Sequence, residues 1–66
     1  MLSENIKRIR KKKGLSQDRL AKLADVTHTT LVKIESGVNA NPTIKTLKKI
    51  ADALEVSLDA LVRRNT

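Results

Sequence analysis

Two stretches with a helical apolar period, "SQDRLAKLA" and "THTTLVKIESG", give helices joined by only about three residues, Asp25 to Thr27. In the first, Leu20, Ala21 and Leu23 recur on one side of a helix over residues 17 to 24, with Ser16 as its N-cap and Asp18 near its positive end. In the second, Thr27 caps a helix running to about residue 36, with Leu31 and Ile34 three apart and Gly37 as terminator. So short a connection forces the two helices into a bent pair. The rest of the chain must pack around that pair.

Three further helices follow from the same punctuation. Ser3 is read as the cap of a first helix over residues 4 to 13, with Ile6 and Ile9 at helical spacing and Gly14 as a left-handed stop. The segment "VNANPT" holds two Asn and the only proline and reads as loop, after which Thr43 caps a helix carrying Ile44, Leu47, Ile50, Ala51 and Leu54. Ser57 caps a short last helix with Asp59 in its first turn, followed by a polar tail "RRNT". No strand-like alternation occurs, so the fold class is all-α: a compact five-helix unit, expected to be one domain over residues 1 to 66.

A chain of 66 residues buries only about 60% of the surface its unfolded form exposes. With no cysteine, neither disulfides nor thiolate metal sites supplement that core. His28, the only histidine, lacks the neighbours for a metal site, and no metal or cofactor is expected. No apolar run approaches a membrane span, so a soluble, cytoplasmic protein is expected. An enzyme is excluded on inventory: there is no cysteine nucleophile, no glycine-rich phosphate loop and no triad, and the carboxylates sit mostly near helix starts.

Charge points to a partner. Fourteen Lys and Arg against seven Asp and Glu give a net charge of +7, a strong field on so small a surface, and a polyanion is the expected ligand. Single-strand and RNA binders stack bases on aromatic rings, and this chain has none. Duplex DNA, read through groove edges and phosphates, is the polyanion that fits.

The residues then carry a resemblance. "GLSQDRLAKLADVTHTTLVKIESG" followed by "NPTIKTLKKIADALEVSLDALV" resembles the lambda-repressor-like and Cro-like (XRE-type) helix-turn-helix family over nearly the whole chain, from about Ile6 to Val62. Leu15-Ser16-Gln17, Leu20-Ala21, Val26 in the turn, Glu35 with Gly37, Pro42 in the loop and the Ile50-to-Val56 pattern carry the match. Where the family often has glycine in the turn this chain has Asp25, one of the few other residues that tolerate a left-handed backbone.

The resemblance implies a sequence-specific transcriptional regulator of prokaryotic or phage origin, most simply a repressor binding a palindromic operator as a dimer through the major groove. The alternative within the family is the antidote of a toxin–antidote pair, with the toxin as protein partner. On a helical wheel at about 100° per residue, Leu31 and Ile34 point inward, Thr29, Val32 and Lys33 surround the outward direction, and His28 lies at its edge in the first turn. These four side chains suit base edges: imidazole and hydroxyl for purine edges, an exposed Val for a thymine methyl, and Lys for guanine.

Other residues are expected to position rather than read. Ser16 and Gln17 at the start of the second helix, Thr27 and Thr30 beside the turn, and Asn39, Asn41, Thr43 and Lys45 around the loop are the candidate phosphate contacts. Lys11 and Lys12 read as a solvated face adding nonspecific attraction. Arg10 resembles the family arginine that pairs with the recognition-helix glutamate, here Glu35. The resemblance implies a dimer contact, a homodimer that forms on DNA, at Pro42, Val56, Leu58 and Asp59; Leu58 at a helix start beside Val56 fits this, because so small a core can hardly enclose both.

Overall fold

The structure, a computed structural model, describes residues 2–39 and 41–63. Ala40 in the loop and residues 64–66 of the polar tail lie outside the described residues. Five helices follow one another: α1 (Leu2–Lys12), α2 (Gln17–Ala24), α3 (His28–Glu35), α4 (Ile44–Leu54) and α5 (Leu58–Val62). No strand occurs among the described residues.

Four helices start by one device. The hydroxyls of Ser16, Thr27, Thr43 and Ser57 accept the backbone N–H three residues on, from Arg19, Thr30, Thr46 and Ala60, at 3.0 to 3.2 Å. Each such cap contributes on the order of 1 kcal/mol. Ser3 departs from the expectation: α1 already begins at Leu2, so Ser3 lies inside its first turn. Leu2 packs against the core, and this tertiary contact extends the helix past the residue that local chemistry marks as its cap.

Three helices also stop by one device. Leu15, Val26 and Val56 donate their N–H groups back to the carbonyls of Arg10, Ala21 and Ala51 at 3.0 to 3.1 Å, while the preceding Gly14, Asp25 and Glu55 take left-handed backbone, with φ of 71°, 56° and 59°. This is the Schellman arrangement, and the apolar residue after the turn folds onto the core in each case. Only Gly14 adopts that backbone without steric strain. Glu55, which shows no ion pair among the described residues and is less tolerant of this conformation than Asp, carries the larger penalty. Glu55→Gly should therefore stabilise the fold by about 0.5–1 kcal/mol, a rise in Tm of roughly 2–8 °C in thermal unfolding. A fall in Tm would show that the Glu55 side chain makes a stabilising contact that outweighs its backbone strain.

The core is aliphatic. Ile6, Leu20, Leu31, Ile34, Leu47, Ile50, Leu54 and Leu61 close together with Ala21, Ala24 and Ala51, so that every helix contributes. α3 is wedged between α1 and α2, α4 lies along α2, and α5 bridges α1 and α4. Asn5, buried in α1, donates both amide hydrogens to the carbonyls of Leu61 (3.0 Å) and Arg63 (2.8 Å), closing the end of α5. No helix among the described residues is long and apolar enough to cross a membrane.

Candidate nucleic-acid interface

Because α3 gives Leu31 and Ile34 to the core, its opposite side is left to solvent. His28, Thr29 and Lys33 are exposed there, as side chains with donors, acceptors and a cation. Val32 is half-buried rather than exposed, since the flanks of a helix wedged between two others are partly covered. Only part of its isopropyl group is open.

The turn leading into α3 is held by hydroxyls. Thr27 Oγ1 accepts from the Thr30 N–H at 3.1 Å and donates to Thr30 Oγ1 at 2.7 Å, joining the two threonines in one chain of hydrogen bonds. Ser16 exposes the capped N-terminus of α2. After α3, Asn39 Oδ1 accepts from the Asn41 N–H at 3.2 Å, and Thr43 Oγ1 donates to Thr46 Oγ1 at 3.0 Å. Lys45, in the first turn of α4, is exposed.

Behind α3 sits a buried polar knot. Arg10 donates from Nε to Glu35 Oε2 at 2.8 Å and from Nη2 to Glu35 Oε1 at 3.0 Å, a two-pronged pair with Arg10 8% and Glu35 3% exposed. A third donor, Nη1, reaches the Leu15 carbonyl at 2.7 Å. Gln17 Nε2 donates to Glu35 Oε1 at 3.1 Å. One carboxylate thus fixes the end of α1, the start of α2 and the end of α3 relative to one another. The Gln17–Glu35 bond carries no signal in the sequence, because it joins residues on different helices without a shared period.

The expected dimer residues are arranged differently from the sequence reading. Val56 and Leu58 are half-buried and pack against the core, because the left-handed turn at Glu55 folds the chain inward. Both are therefore partly enclosed, contrary to the reason given for an exposed contact. Pro42 is half-buried, and Asp59 is exposed and lies 3.6 Å from Arg63 Nη2. Among the described residues the large apolar groups left open are Val38 (77% exposed), Ile44 (66%), Leu23 and Val62, so Leu23 does not join Leu20 and Ala21 in the core as its helical period suggests. Ile44 continues the inward stripe of α4 beyond the edge of the core.

This geometry agrees with the comparisons. Residues 6–61 match the helix-turn-helix family HTH_3. The chain belongs to that family. It is 41% identical over 66 residues to the HTH-type transcriptional regulator SlrR of Bacillus subtilis, covering 100% of this chain and 43% of that protein. It spans about half the length of the curated relatives it matches. Among solved structures, the N-terminal DNA binding domain of SinR from Bacillus subtilis aligns with a TM-score of 0.93 at 37% identity, over 98% of this chain and 94% of that one. SinR, described as the master regulator for biofilm formation, in complex with DNA aligns with a TM-score of 0.91 at 39% identity, over 94% of this chain and 98% of that one.

Proposed function

We propose that the chain is a sequence-specific duplex-DNA-binding module of a transcriptional regulator, most simply a repressor, which inserts α3 into the major groove. The observation that carries this reading is the uncovered polar face of α3 on a backbone superposable on a domain solved with DNA. His28, Thr29 and Lys33 read base edges, with the open part of Val32 against a thymine methyl. Ser16, Thr27, Thr30, Asn39, Asn41, Thr43 and Lys45 hold the phosphates on either side. Gln17 does two tasks: one amide hydrogen stays on Glu35, and the other is free for a phosphate at the start of α2.

Two copies bind one palindromic site, pairing through Pro42, Val56, Leu58 and Asp59, so that recognition helices about 34 Å apart meet one duplex face. Selection of bound sites from a random duplex library tests the whole reading: a palindromic consensus is expected. A pool that stays random after selection would remove sequence-specific recognition.

The roles of the α3 side chains separate in a further measurement. Lys33→Ala and His28→Ala should each lower discrimination between the selected site and single-base variants by about 1–3 kcal/mol. Gln17→Ala should weaken all duplexes evenly. If the α3 substitutions also weakened every duplex by the same factor, these side chains would be phosphate contacts.

A further inference from the structure

Between Lys7 and Lys13 the chain carries Lys7, Arg8, Lys11, Lys12 and Lys13 in addition to the buried Arg10. Among the described residues none of these five lies within ion-pair distance of a carboxylate; the pairs present use Arg10, Lys22, Lys49 and Arg63. Lys7 and Lys11, Arg8 and Lys11, and Arg8 and Lys12 stand three or four residues apart on α1, a spacing at which like charges repel. Cations in a last turn offset the helix dipole, which accounts for Lys11 and Lys12 in part. It does not account for Lys7 or Arg8 farther up the helix. Glu4, three residues from Lys7 and four from Arg8, forms no ion pair with either among the described residues, and Arg8 Nη2 donates instead to the neutral Asn5 Oδ1 at 3.2 Å. The row therefore keeps an excess of like charge that an anion would relieve.

The end of the row is fixed in place. Lys13 donates its N–H to the Ile9 and Arg10 carbonyls, and Arg10 reaches the Leu15 carbonyl next to the Ser16 cap. Gln17, one residue on, is bonded to Glu35 at the end of α3. The basic end of α1 is therefore fastened to the start of α2 and the end of α3, the elements that would face a duplex.

We propose that Lys11, Lys12 and Lys13, with Lys7 and Arg8 behind them, hold the phosphate backbone of the duplex that flanks the base pairs read by α3. The proposal rests on the DNA-binding reading. It makes the basic run a second, sequence-independent contact whose value depends on the length of the DNA.

The test compares the wild-type chain with the triple variant Lys11→Gln, Lys12→Gln, Lys13→Gln on two duplexes. One is the selected site alone; the other is the same site extended by one helical turn on each side. For the wild type, the slope of log affinity against log salt should be steeper on the extended duplex by about two to three units per bound domain, about five for a pair on a palindrome. The variant should lose that difference while still preferring the selected site over a scrambled one. Should the triple variant fail to fold, Lys12→Gln alone should lose about one unit per bound domain. An unchanged slope on the extended duplex, or an equal loss on both duplexes, overturns the proposal; the second result would place the lysines at the site itself. Retained binding with a loss seen only against a separate polyanion, such as heparin, also overturns it. Failure of the DNA reading is told apart, because the wild type would then show no preference for the selected site.

Discussion

Arg10→Ala should destabilise the domain by about 3–5 kcal/mol, because it leaves the Glu35 carboxylate buried without its cation. A 66-residue domain has a total stability of roughly 3–10 kcal/mol, so this single change removes much or all of it. Gln17 stays as a donor to Glu35, but one neutral amide cannot replace a fork of charged donors. Arg10→Lys should recover only part of the loss, since a single ammonium cannot satisfy both Glu35 oxygens and the Leu15 carbonyl at once. Replacing both partners, Arg10→Met with Glu35→Leu, should be far milder than either single change and separates burial of a lone charge from loss of packing. Denaturant unfolding checks all three. A midpoint for Arg10→Ala within experimental error of the wild type would mean that Glu35 is solvated in solution.

The same knot marks what can be read from a sequence. The caps at Ser16, Thr27, Thr43 and Ser57 are legible because a hydroxyl reaching an N–H three residues away is a local event. Ser3 misleads because the competing interaction, Leu2 on the core, is not local. The stop at Glu55 escapes a search for glycine. A signal was nevertheless present, for "LEV" repeats the pattern of "ADV" at residues 24 to 26, an acidic residue at the end of a helical period followed by an apolar residue that folds inward.

Periodicity gives direction and not reach. It places Ile44 correctly on the inward stripe of α4 but cannot tell that the core ends before it, nor that Val56 and Leu58 fall partly inside. Likewise the wheel of α3 orients Thr29 and Lys33, while the half-burial of Val32 depends on how closely α1 and α2 flank it.

DNA affinity should fall steeply with salt, and the slope should count the domains on each site. Most of the side chains proposed for phosphate contact, Ser16, Gln17, Thr27, Thr30, Asn39, Asn41 and Thr43, are neutral; they position the domain and displace few counterions. Release is governed by the cations, Lys33, Lys45 and the lysines of α1. If about three phosphates are neutralised per domain, one domain gives a slope near −3 and a pair on a palindrome a slope near −5. Raising salt from about 50 to 200 mM then costs roughly 40-fold for a single domain and about 10³-fold for the pair. Titrating one full palindrome and one half-site across that range separates the two cases, because the half-site holds only one domain whatever the protein concentration. Equal slopes on both duplexes would remove the dimer, and slopes near zero would remove the electrostatic basis that the +7 charge supplies.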